Sequence, residues 1–224
     1  MLAVSGSSED HVHARIVAAL CLSTLGCAGG PDTPLASRDY GFEESSDRVW
    51  VRGPWDAITP SRDIDGVIDQ LCPAVMTLPR AQERDYGQEY CGLIYSLGDG
   101  MYYASRTSNL GRLELVGPSR RKSCTVPHRV LDARGRTHPI ADFHSHPWAP
   151  SPLSPKDRLV DNQWWIIRIQ FDTACHLQKL VPYSDDATRA GEVYERQGYH
   201  WKLVGRILPE DKATGRVTAI EDDS

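Results

Sequence analysis

The chain has 224 residues, 40% of them hydrophobic, which is enough to bury one substantial core and too few for several. Lys+Arg number 25 against Asp+Glu 30, a formal net charge of -5, and the cationic residues are dispersed except for Arg120-Arg121-Lys122. The basic face that a nucleic-acid partner requires is therefore not visible, and no internal repeat breaks the chain into modules.

The first element is an apolar run from Ile16 to Gly26. It is too short to cross a bilayer as a helix and has the length of a signal-peptide core. It ends at Gly26-Cys27-Ala28-Gly29, which resembles a bacterial lipoprotein cleavage site, where the cysteine is acylated and becomes the first residue. Residues 1–27 are accordingly expected to be a leader. A lipid on Cys27 would then hold the protein to a membrane outside the cytoplasm, on the periplasmic side; the alternative is a short N-terminal helix on a cytoplasmic protein. Residues 28–60 are rich in Gly, Pro, Ser and Asp, with Val49-Trp50-Val51 the one strand-like stretch, and read as a tether.

A folded domain is expected over residues 61–210. Ile64, Val67, Ile68 and Leu71 recur at helical spacing behind Ser61 as a cap, and Pro73 interrupts or kinks that helix. Cys91 to Leu97 and Met101 to Ser105, joined by Gly98-Asp99-Gly100, predict a hairpin. A second hairpin is expected from His128 to Leu131 through Gly135 into residues 139–146. A capped helix follows at Ser154, then a strand over Trp165 to Phe171 and two strands from Glu192 to Leu208 around Gln197-Gly198. Residues 211–224 end in Glu221-Asp222-Asp223-Ser224 and read as an acidic, solvated tail. This order predicts an α+β domain with helices packed on a curved, mixed sheet.

Processing at Cys27 would leave Cys72, Cys91, Cys124 and Cys175 in a compartment that permits disulfides. Three pairings are open. No Cys-x-x-Cys spacing points to a structural zinc ribbon, and any of the four reads equally as a small buried hydrophobe, Cys91 above all because it opens an apolar strand.

The chemistry concentrates around Asp142-Phe143-His144-Ser145-His146-Pro147. A His-x-His pair by itself carries little, since surface and core histidines are common. In a strand, however, residues two apart point to one side, so both imidazoles face one point. Ser154-Pro155-Lys156-Asp157 supplies a capping serine, a proline at the first helical position and a carboxylate on a defined first turn. Two histidines and one carboxylate leave a fourth tetrahedral position for water, as in catalytic zinc sites. A proton acceptor that is not itself a ligand is also needed, and Glu89, where a polar loop enters an apolar strand, is the candidate. Asp142 shares the face of His144 and is either a solvated acid or a group that orients an imidazole.

Glu89, then His144-x-His146, seven residues, Ser154, two residues and Asp157 together resemble the JAMM (MPN, JAB-type) zinc metallopeptidases. The Glu-x-Cys-Gly context and Pro147 belong to the same resemblance, which covers roughly residues 60–208. It implies a cytidine-deaminase-like fold with a curved mixed sheet flanked by helices. It also implies Zn2+ held by His144, His146 and Asp157, Glu89 as general acid/base, and Ser154 donating to an oxyanion. The expected activity is hydrolysis of an amide bond in a peptide or protein, with cell-wall peptides the guess outside the cytoplasm. Trp148 and the prolines Pro150 and Pro152 depart from the pattern and bear on the substrate. Two other readings stand beside this one. A catalytically silent MPN-like binding module would carry no stoichiometric zinc. A cell-wall peptidase of the LAS type would use His128, Asp132 and His146, but would leave Glu89, Ser154 and Asp157 without a role.

Overall fold

The computed structural model describes residues 38–44, 46–113, 115, 120–160 and 163–220. The expected leader, its Cys27, and residues 28–37 lie outside them. The described residues form a mixed α+β fold that is mostly sheet.

Strands β1 (Tyr40–Phe42) and β2 (Val49–Gly53) pair antiparallel, and β5 (Arg129–Asp132) joins β2 in parallel to make a three-stranded sheet. Residues 38–60 are therefore not a tether. Val49, Trp50, Val51, Trp55 and Ile58 are buried, and because three consecutive β2 residues are covered on both faces, no alternation marks the strand in the sequence.

The larger sheet is built from β3 (Cys91–Ser96), β4 (Tyr102–Ala104), β6 (His138–Ser145), β7 (Ile167–Phe171), β8 (Leu177–Val181), β9 (Gly191–Gln197), β10 (His200–Ile207) and β11 (Thr218–Ala219). Its spatial order is β11-β10-β9-β8-β7-β6-β3-β4, with β6 and β7 parallel and the other neighbours antiparallel. The β3–β4 and β9–β10 hairpins form as the turn residues predict. The hairpin expected from His128 into residues 139–146 does not form, because β5 takes β2 as its partner and lies in the other sheet. Strand β8 escapes the sequence reading because polar and apolar residues occupy both of its faces: Leu177, Lys179 and Val181 on one, Gln178 and Leu180 on the other. The described part of the expected acidic tail, residues 211–220, is packed on the domain. Asp211 is buried against Arg216, and β11 extends the sheet edge.

Helix α1 (Ile64–Val75) is capped by Asp63, whose side chain accepts from Asp65 N at 3.1 Å; Ser61 instead accepts from Asp63 N. Pro73 falls inside the last turn, and the helix ends at Val75. Val67, Ile68, Leu71, Cys72 and Val75 pack on Ile94, Ala141, Phe143, Ile169 and Phe171 of the large sheet. Among the described residues α1 is the only α-helix, so the sheet is not flanked by several helices. Gly92 lies opposite Phe143, and any Cβ at that position would overlap the Phe143 ring, which explains the glycine after Cys91. With the apolar residues of β6 and β7 under α1, strand alternation sends Asp142, His144, Arg168 and Gln170 to the other face.

The four cysteines resolve as Cys72–Cys175 and Cys91–Cys124. Cys91 is therefore a crosslink and not a free buried hydrophobe. No helix among the described residues is long and apolar enough to cross a membrane.

Candidate metal centre

His144 occupies the central β6, between Cys91 of β3 and Gln170 of β7, and is 4% exposed. Its Nε2 lies 3.5 Å from Asp157 Oδ1, and Nε2 of His146 lies 3.5 Å from Asp157 Oδ2, so one carboxylate spans both imidazoles. The ligand atoms of the three residues lie within 4.8 Å of one another. Atoms about 2.1 Å from a common tetrahedral centre sit roughly 3.4 Å apart, so the spacing suits one cation. Both ring nitrogens of His144 are buried without a hydrogen bond, a costly state that a bound ion relieves. By donor type, spacing and the orphaned imidazole, the group can hold a metal ion.

The carboxylate comes from a turn and not from the helix that the spacing predicts. Arg158 N donates to Ser154 O and the chain then leaves the helical path. The reciprocal cap nevertheless forms: Ser154 N donates to Asp157 Oδ2 at 2.9 Å, and Asp157 N donates to Ser154 Oγ at 3.2 Å. Arg168 Nη1 donates to Asp157 O at 2.8 Å and anchors the turn to β7. Burial by itself would raise the Asp157 carboxyl, but the two imidazoles beside it hold it well below the usual carboxylate range. For His144 the balance runs the other way: burial lowers it, Asp157 raises it, and the net shift is upward.

His146 is aimed by its surroundings. Its Nδ1 lies 2.7 Å from Ser151 Oγ, which leaves Nε2 for Asp157. Ser151 is itself pinned, since its N–H donates to Asp172 Oδ2 and its carbonyl accepts from Gln170 Nε2. The sequence reading missed Ser151. Its only signal was membership of the proline-bearing loop, and no local spacing shows that this loop folds back onto Gln170 and Asp172.

Glu89 is half-buried and lines the same cleft, of about 760 Å³, as His144, His146, Ser154 and Asp157. The register explains the meeting: Cys91 faces His144 across the antiparallel pair, and Glu89 two residues earlier falls on the same side. Its backbone is held by donation from Glu89 N to Lys122 O. The Cys91–Cys124 crosslink also borders the cleft.

Asp142 is neither solvated nor an orienting partner for an imidazole. It is fully buried and takes Arg168 Nε on Oδ1 at 2.9 Å, an ion pair beneath the site. The rival set does not assemble: Asp132 is bound by Tyr95 Oη and Arg134, His128 lies against Glu43, and among the described residues neither joins His146 in a metal-binding group. Set against protein-family models, curated proteins and solved structures, the chain matches none.

Proposed function

We propose that the chain is a zinc-dependent peptidase or isopeptidase, anchored by lipid outside the cytoplasm, and that it works as its JAMM-like motif implies. The observation that carries this reading is the convergence of His144, His146 and Asp157 with Glu89 in one cleft. A zinc ion held by His144, His146 and Asp157 would lower the pKa of a bound water to about 7 and would act as a Lewis acid on the scissile carbonyl. The chain's own groups do the rest. The Glu89 carboxylate takes the proton of the attacking water and passes it to the leaving amine. The Ser154 hydroxyl, whose oxygen already accepts from Asp157 N, keeps its proton for the oxygen of the attacked carbonyl. Ser151 holds the His146 ring in one orientation, and Arg168 fixes the turn that presents Asp157. Two disulfides suit the oxidising compartment that a lipid on Cys27 implies.

Elemental analysis of the purified full chain tests this. About one zinc per chain is expected, with His146→Ala and Asp157→Ala emptying the site. Glu89→Gln should keep the metal and abolish cleavage of a peptide library. A protein that purifies without stoichiometric zinc, and cleaves nothing when loaded, is a binding module and not a peptidase.

A further inference from the structure

The one cationic cluster of the sequence, Arg120-Arg121-Lys122, has no part in the hydrolytic scheme, yet the fold brings its middle member, Arg121, into the lining of the cleft. Lys122 N donates to Gly87 O and Lys122 O accepts from Glu89 N, so the cluster runs alongside the segment that carries Glu89. The Arg121 guanidinium lies 4.2 Å from the centroid of the Trp148 ring, and that same ring stacks on His146 at 5.5 Å with an interplanar angle of 8°. A cation over an indole face is held in place by the ring quadrupole. Arg121 is thus positioned one aromatic ring away from a metal ligand, by a tryptophan that the JAMM-like pattern does not account for. Arg112 and Lys156 line the same cleft.

We infer, resting on the peptidase reading, that the substrate presents a carboxylate next to the bond that is cut, and that Arg121 on Trp148 selects it. A guanidinium binds a carboxylate through two parallel N–H donors, and its stacking on Trp148 removes part of the ordering cost. The carboxylate belongs to an acidic side chain or to a chain terminus.

The test uses the full-length protein carrying Glu89→Gln and loaded with zinc, titrated by calorimetry with three alanine pentapeptides. The first has a central glutamate and an amidated end, the second a central glutamine and an amidated end, and the third only a free terminal carboxylate. At least one carboxylate peptide should bind about 10-fold or more tighter than the glutamine peptide, as a charge-assisted bidentate contact implies. Which one does so identifies the source. Adding Arg121→Gln should erase that preference while leaving the glutamine peptide's affinity and the zinc content unchanged. Equal binding of all three, no binding of any, or a loss shared by the glutamine peptide would overturn the inference. Selective binding by a protein that cuts nothing with Glu89 intact would sink the peptidase reading alone, and cleavage without preference would sink this inference alone.

Discussion

The capping role of Ser154 and its proposed role at the oxyanion differ in magnitude. As a cap, its hydroxyl accepts from Asp157 N and so steadies the turn that presents a ligand. Ser154→Ala should then cost roughly 1 kcal/mol of stability. If the hydroxyl also meets the oxyanion, turnover falls by about 100-fold or more while zinc is retained. Ser154→Asp separates the two, since aspartate caps as well as serine but offers no proton at neutral pH; full turnover in that variant would reduce Ser154 to a cap. At this scale the sequence was legible where the contact is local. The Ser154–Asp157 reciprocity spans three residues and can be read from their order. The Ser151–His146 contact spans five, but depends on a loop held from β7 by Gln170 and from the chain just beyond it by Asp172, so no spacing reveals it.

At the scale of elements, β6 divides the molecule's chemistry. Phe143 and Ala141 face α1, while on the opposite face His144 lines the cleft and Asp142 is buried beneath it, where its charge is tolerable only because Arg168 of the neighbouring strand meets it. Removing one member of a buried pair strands the other. Arg168→Ala should therefore cost about 3 to 5 kcal/mol in urea denaturation, and the double variant Asp142→Leu with Arg168→Met should regain most of it. Equal losses in the single and double variants would show that the two charges are not coupled. Since Arg168 also donates to Asp157 O, zinc affinity should fall in both, even where stability returns. The hairpins closed by Gly98-Asp99-Gly100 and Gln197-Gly198 were legible because turn residues report on neighbours in sequence. The parallel pairings β2–β5 and β6–β7 were not, because each joins strands far apart in the chain.

For the molecule as a whole, the two disulfides tie distant parts together. Cys72–Cys175 joins α1 to the turn after β7 across 103 residues, and Cys91–Cys124 spans 33 at the edge of the cleft. Loop-closure entropy makes these worth about 4 to 5 and about 3 to 4 kcal/mol respectively. Such crosslinks fit the proposed location, which makes its own prediction. Expressed in a diderm bacterium, the protein should fractionate with membranes, and Cys27→Ser should release it or leave the precursor uncleaved. Mass spectrometry decides the matter: an unmodified peptide spanning Ser23 to Ala28 in the wild-type protein would rule the lipid anchor out. By itself the sequence determined the donor types of the candidate metal centre and the strand alternation that turns His144 and His146 to one side, because those depend on positions two or three apart. Only the tertiary structure decided that Glu89 joins them, through the β3–β6 register, that Cys91 pairs with Cys124, that Asp142 belongs to Arg168, and that Arg121 settles on Trp148. Those contacts join residues far apart in the chain, and they form where burying a whole sheet face outweighs the entropy of closing the loops between them.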